Sequence, residues 1–250
     1  MSCSNVEIKR DFNRSAIRYP YTVFDIEKPQ FHRRIMERMN RVLGIPRGNK
    51  TATILDVGCG TAYFTSLLPI GYSRVVGMDI SENMVKIAKI TLEYVDKNGN
   101  IDLIIADGEH TPFRFDVFQE VFCLDVLHHV DNLESIFREM LRVVVCGGKV
   151  MALEPNFSNP FYPILCFITR QEALPKFIKA SKQNLKKMYI ANKLKEISIT
   201  EIDFIPQVFF KLTPFPEWLS YVLEFVESLF RNHPTFYFLS SHFAISGNKG

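Results

Sequence analysis

The run ILDVGCGTAYFT, residues 54–65, decides how the rest of this chain is read. Apolar Ile54 and Leu55 lead into Asp56, glycines follow at positions 58 and 60, and the small Ala62 stands two further on. That is the pattern of a buried parallel strand ending in a tight turn that opens a helix. Without a Cβ, Gly58 and Gly60 let the backbone bend and let a ligand approach it closely. Asp56 narrows the ligand: a carboxylate at the lip of the turn repels a phosphate and suits a cation. The dinucleotide fingerprint G-x-G-x-x-G would need a third glycine where Tyr63 stands. The alternative pattern, acid-x-G-x-G-x-G, is met by Asp56, Gly58 and Gly60, with Ala62 in the last glycine position.

Working outward, the chain alternates strand and helix from residue 54 to 154, and an acid closes each strand. A second strand, Arg74 to Met78, ends at Asp79, 21 positions beyond Gly58. An acid at that distance accepts hydrogen bonds from ribose hydroxyls. It also suits a helix start, and Ser81 and Glu82 open a helix with Met84, Ile87, Ala88, Leu92 and Val95 on one face. The third strand, Ile101 to Ala106, ends at Asp107 and Gly108, and the fourth, Val117 to Leu124, at Asp125. His128 and His129 follow. Asp131 is then read as the cap of a helix carrying Leu133, Ile136, Phe137, Met140, Leu141 and Val144. After the CGG turn, the fifth strand runs from Lys149 to Glu154. The expected fold is α/β: a doubly wound, Rossmann-like sheet with polar groups along its carboxyl edge, where ligands bind.

Asp56, the glycine pair, Asp79 and Asp107 in this register, with LHHV at 127–130, make the chain resemble the class I S-adenosylmethionine-dependent methyltransferases, in particular the small-molecule subgroup. The resemblance covers about 100 residues, and its departures, Ala62 for glycine and Cys146 for proline, keep the side chains small. It implies a seven-stranded sheet, parallel but for one antiparallel strand, with the sixth strand at Glu196 to Phe204 and the seventh at Phe236 to Ser246. A helix from Glu217 to Arg231 lies between them. It implies S-adenosyl-L-methionine as cofactor, with Asp56, Gly58, Gly60, Thr61, Asp79, Ile80, Asp107, Gly108 and Leu124 around it. Asp79 would take the ribose, Ile80 would border the adenine and Asp107 would accept from its amino group. His128 is the candidate general base for a hydroxyl acceptor, histidine titrating near neutrality. The other reading has His128 lining the pocket and His129 packing on the next helix. No ligand triad for a metal is evident. An N-P-P-Y tetrad of the kind that serves amino methylation of bases would follow the fourth strand, where LDVL stands instead.

The implied organisation is an N-terminal arm and helix over residues 1–50, covering the cofactor site, and a methyltransferase domain over 51–250. Tyr19 and Tyr21 are arm candidates, and Pro29 opens a helix that Gly44 stops. Residues 157–195, after the fifth strand, form an insertion that shapes the substrate pocket. From Arg170 to Lys195 there are eight lysines or arginines against one acid, and 13 of the 22 phenylalanines lie beyond residue 156. Two readings stand for that bias. One is a solvated basic helix over an aromatic core; the other is a face for a lipid-like or anionic acceptor, or for peripheral contact with a membrane.

Composition bounds the function. With 250 residues, 47% hydrophobic and 23% charged, one globular core is expected. A net charge of +3 gives no footprint for nucleic acid. The five cysteines form no C-x-x-C pair, consistent with reduced thiols in a cytoplasmic protein. The charged N-terminus does not read as a signal peptide, and no apolar run is long enough to span a bilayer. The expected function is methyl transfer to a small-molecule or lipid-like acceptor, with oxygen, nitrogen and carbon acceptors all open. The alternative is a non-catalytic domain that binds the cofactor as a sensor or scaffold, and a dehydrogenase is a distant third.

Overall fold

The computed structural model describes residues 9, 10, 13, 51–68, 72–95, 99–160, 162, 179–204, 217–231 and 233–250. The elements are β1 (Thr53–Val57), β2 (Arg74–Asp79), α1 (Glu82–Val95), β3 (Ile101–Ile105), β4 (Phe118–Leu124), α2 (Leu133–Val143), β5 (Val144–Pro155), α3 (Lys182–Ala191), β6 (Lys195–Ile202), α4 (Glu217–Arg231) and β7 (His242–Asn248). Short 3-10 turns sit at Thr65–Leu67, Leu127–His129 and Pro234–Leu239.

The strands form one seven-stranded sheet in the order β3-β2-β1-β4-β5-β7-β6. β1 pairs in parallel with both β2 and β4, while β7 runs antiparallel between β5 and β6. The chain winds from β1 through β2 to the β3 edge, then returns to lay β4 on the other side of β1. The switch point therefore lies between the carboxyl ends of β1 and β4.

Period-two alternation places the two sides of each strand in different clusters. Leu55 and Val57 join Val121, Cys123, Val150, Ala152, Phe243 and Ile245 on one side, under Phe137 and Met140 of α2 and Leu185 and Tyr189 of α3. Ile54 joins Val75, Phe122, Leu124, Met151 and Leu153 on the other, with Tyr63, Leu68 and Tyr72. Coverage on both sides explains why the inner strands read as continuous apolar runs. β3, at the edge, has no fully buried residue and exposes Asp102 and Ile105.

Several boundaries differ from the sequence expectations. The turn after β1 leads to a 3-10 turn at Thr65–Leu67 in place of the α-helix expected there. Pro69 follows two residues later and cannot sit in a helix interior. The cap of α2 is Asn132, not Asp131: its side chain accepts from Ser135 N–H. β5 begins at Val144, five residues before Lys149, and takes the CGG segment into a bulge with Gly147 at φ +76°. Residues 234–239 form a 3-10 turn with Pro234 at its start, so β7 begins at His242 and not at Phe236. The expected helix from Pro29 to Gly44, both arm tyrosines and residues 163–178 of the insertion lie outside the described residues.

Phe137 is fully buried against Tyr189, ring centroids 4.9 Å apart, and joins α2 to α3. Phe137→Ala should cost about 3–5 kcal/mol in urea denaturation. Phe225→Ala, on the exposed side of α4, should change stability by less than about 0.5 kcal/mol.

Candidate active site

The turn after β1 is tied down by its neighbour. Gly58 and Cys59 N–H both donate to Met78 O, at 2.7 and 2.9 Å, so the turn folds over the end of β2. Gly58 and Gly60 have φ of +79° and +55°, and Ala62 adopts +57°. A Cβ at Gly58 would fall onto the Val126 side chain, so this glycine serves packing as well as backbone conformation. Alanine in the left-handed region costs roughly 1–2 kcal/mol. Ala62 holds it while wholly buried against Ala88 and Leu92.

Asp56 lies beneath the turn, 2% exposed, and accepts from Thr65 Oγ1 at 2.6 Å. Burial pushes its carboxyl up to about 7, against the Thr65 hydrogen bond and helped by the charge of Asp79. Asp79, ending β2, accepts from Gly60 N–H at 2.9 Å and from Ser81 N–H at 2.8 Å. Burial raises its carboxyl too, opposed by those two bonds. The N-terminal segment reaches this corner at Asn13. Its Oδ1 accepts from Ser81 Oγ at 2.6 Å and from Asn83 N–H at 3.1 Å, and its carbonyl accepts from Asn83 Nδ2.

A cavity of about 750 Å³, counting its open mouth, lies over the switch point. Gly58 and Gly60 line it from the turn, Asp79 and Ile80 from β2, Ala106, Asp107, Gly108 and Glu109 after β3, and Leu124, Asp125, Val126, His129 and Val130 after β4. Seven residues expected at the site, Gly58, Gly60, Asp79, Ile80, Asp107, Gly108 and Leu124, therefore converge on one space. A Cβ at Gly108 would meet Ile136 Cδ1 at 2.8 Å, so a side chain there would have to displace Ile136. The other three expected residues are not on the wall. Asp56 is below it, Thr61 is buried at 2% exposure, and His128 is turned inward. His129 is the histidine of the pair that lines the cavity.

His128 turns inward toward Glu154. Its Nδ1 lies 2.7 Å from Glu154 Oε2, and the carboxylate also accepts from the N–H groups of Val126, Leu127 and His128 at 3.2, 2.7 and 3.3 Å. Glu154 thus holds the whole turn after β4 from inside β5. Nearby, Asp125 sits at φ +57°, and His242 Nε2, from the first residue of β7, is 3.4 Å from its Oδ1. The acids at 125 and 154 are visible in the sequence as strand-closing residues; their histidine partners are not. His242 lies 117 positions after Asp125 and meets it only because β7 is inserted beside β5.

Residues 55–152 match the family model described as a methyltransferase domain. A demethylmenaquinone methyltransferase of Bacillus licheniformis is 29% identical over 159 residues, 62% of this chain and 66% of that protein. One from Bacillus cereus (strain AH187) is 34% identical over 130 residues, 51% of this chain and 53% of that protein. The chain thus spans between about half and two thirds of the curated relatives' length. The geranyl diphosphate C-methyltransferase of Streptomyces coelicolor A3(2), solved with Mg2+, geranyl-S-thiolodiphosphate and S-adenosyl-L-homocysteine, superimposes with a TM-score of 0.67 at 14% identity. That alignment covers 100% of this chain and 99% of that one, and it establishes the shared fold. Among the described residues, no group of histidine, cysteine and acidic side chains could hold a metal ion.

The buried Asp56 makes stability depend on pH with a definite sign. An unfolded aspartate releases its proton near 3.8, while the folded one keeps it to about 7. Between those values the folded state binds more protons, so raising the pH favours unfolding, by on the order of 4 kcal/mol once pH 7 is passed. Asp56→Asn keeps an oxygen for Thr65 and should lose this slope, becoming more stable than wild type at pH 8 in urea titrations.

Proposed function

We propose that this chain, whose residues 55–152 match the methyltransferase-domain family model, is a class I S-adenosylmethionine-dependent methyltransferase that transfers a methyl group from that cofactor to a small-molecule acceptor. The observation that carries this reading is the convergence, in one cavity at the switch point, of the glycine turn with Asp79 and Asp107. The site fits the cofactor. Asp79 has two of its roughly four lone-pair positions taken by backbone N–H groups, which leaves acceptor capacity for ribose hydroxyls. Asp107 anchors its own loop through Glu109 N–H at 2.9 Å and faces the same space for the adenine amino group. Ile80 and Gly108 would hold the adenine ring, and Leu124 would complete the wall of the same space. Bound, the cofactor supplies a methyl on a sulfonium that leaves as a neutral thioether. The residues around it then have to align the acceptor and exclude water. A non-catalytic sensor would bind the cofactor equally well, and turnover separates the two.

The acceptor we favour is lipid-like and of the quinone class for which the Bacillus relatives are named. In the same reading the protein is cytoplasmic and touches the membrane peripherally. Trp218, Tyr221, Val222, Phe225 and Leu229 supply the support: they lie on one side of α4 at helical spacing, all exposed. The basic run contributes less than its sequence suggests, because Lys182 is engaged by Glu201 at 2.7 Å; Lys186 and Lys187 are exposed. Among the described residues, no helix is long and apolar enough to cross a membrane.

Asp79→Asn should weaken S-adenosylmethionine and S-adenosylhomocysteine binding by roughly 1–3 kcal/mol in calorimetric titration. Unchanged affinity in the folded variant removes Asp79 from the ribose site. For the membrane contact, wild type should co-sediment with anionic phospholipid vesicles. Trp218→Ala with Phe225→Ala should reduce binding at any salt, and Lys186→Glu with Lys187→Glu only at low salt. Wild type remaining in the supernatant at low salt removes the membrane contact.

A further inference from the structure

The N-terminal segment meets the start of α1 through Asn13. Its Oδ1 accepts from Ser81 Oγ at 2.6 Å and from Asn83 N–H at 3.1 Å, and its backbone carbonyl accepts from Asn83 Nδ2 at 2.9 Å. These partners lie 68 and 70 positions further along the chain. A backbone N–H can only donate, so Asn83 fixes the direction of the Asn13 amide, with its oxygen facing α1. Lys9 stands at the same end of the helix. The Glu82 carboxyl there is held below its usual range, chiefly by Lys86 and more weakly by Lys9.

The first N–H groups of a helix have no partner inside it. In α1, Ser81 Oγ accepts from Met84 N–H at 3.2 Å, and Asn13 takes Asn83 N–H. Asn13 thus completes, from a distant part of the chain, a cap that Ser81 begins. Ser81 has a second task. Its own N–H donates to Asp79 Oδ1 at 2.8 Å, and Asp79, Ile80 and Met84 all line the cavity. Ser81 is fully buried, so its hydroxyl hydrogen must find an acceptor within the protein. Asn13 Oδ1 is that acceptor.

We infer that Asn13 is a positioning residue for the cofactor's ribose: by holding the Ser81 hydroxyl away from Asp79, it keeps that carboxylate open to the ribose hydroxyls. This rests on the methyltransferase reading above, in which Asp79 takes the ribose. Asp79 already accepts from Gly60 N–H and Ser81 N–H, so about two of its roughly four lone-pair positions are left, and two adjacent hydroxyls need both. Without Asn13, the Ser81 hydrogen turns to the acid that the same residue already binds through its N–H, and one of those positions is lost. Asn13 therefore acts on the ribose without touching it, and its effect is confined to that end of the cofactor.

Calorimetric titration with S-adenosylhomocysteine, and with its analogue lacking both ribose hydroxyls, separates this role from a general loosening of the site. Wild type should prefer S-adenosylhomocysteine. In Asn13→Ala that ligand should bind about 3- to 10-fold more weakly, the worth of one hydrogen bond. The analogue should bind as it does to wild type, so the preference narrows. Asn13→Asp keeps both acceptor oxygens and should restore the wild-type preference. In a Ser81→Ala background there is no hydroxyl to misdirect, and adding Asn13→Ala should cost no further affinity. Full affinity in Asn13→Ala, equal weakening for both ligands, or a loss that persists in the Ser81→Ala background overturns the inference. Wild type that binds both ligands alike also overturns it, since Asp79 then does not hold the ribose, and leaves the cofactor reading standing. Wild type that binds neither S-adenosylmethionine nor S-adenosylhomocysteine would instead sink the methyltransferase reading itself.

Discussion

Two parallel strands that meet side by side, with the chain winding away from them in opposite directions, cannot be bridged at their carboxyl ends. β1 and β4 are such a pair, and most of the site follows from the gap above them. The connections after β1 and β4 diverge to opposite sides of the sheet, so the opening stays uncovered by backbone. Gly58 and Val126, which touch across it, show how tightly the two turns are fitted. The remaining wall comes from the ends of β2 and β3, which lie in register beside β1 and project Asp79 and Asp107 toward the same space.

Carboxylates surround this gap at different depths, and depth separates their tasks. Asp79 and Asp107 stand at the wall of the cavity. Asp56 and Glu154 are below it and fully buried, yet they differ from each other. Asp56 has a single hydroxyl donor in Thr65, and burial drives it toward its neutral form. Glu154 accepts from three backbone N–H groups and has the His128 ring nitrogen at 2.7 Å, an environment that suits an anion. The number of donors, more than burial itself, decides which buried acid carries charge. A cationic ligand above the turn would favour the charged form of Asp56 through space without touching it.

The antiparallel insertion of β7 between β5 and β6 does more than extend the sheet. It brings His242 beside Asp125 and places Ser240 where it donates to Glu201, which also binds Lys182 of α3. Asn156 and Asn159, just past β5, bond the backbone of residues 239 and 240. The last quarter of the chain is thereby stitched to the same carboxyl edge that holds the cavity. The start of the segment following β5, with Phe157 and Tyr162 in edge-on contact, is thereby tied to residues 239 and 240.

The sequence by itself determined the winding of the sheet, the glycine turn and the acids along one edge. These are local: strand periodicity, backbone permissiveness at Gly58 and Gly60, and the spacing of Asp79 and Asp107 are all set within about 50 residues. Even the tolerated departure at Ala62 is local, since a small side chain is enough to hold a left-handed backbone. The ends of elements were less legible, because Pro69, Pro234 and the choice between Asp131 and Asn132 act through geometry that periodicity does not carry. Tertiary structure alone decided what each polar side chain faces. It put Asp56 and Thr61 under the turn, turned His128 inward to Glu154 and left His129 on the wall, and took Lys182 out of the basic surface. The last two of those outcomes depend on the pairs His128–Glu154 and Lys182–Glu201, 26 and 19 residues apart, brought together by strand order and by the need of each buried polar group for a partner.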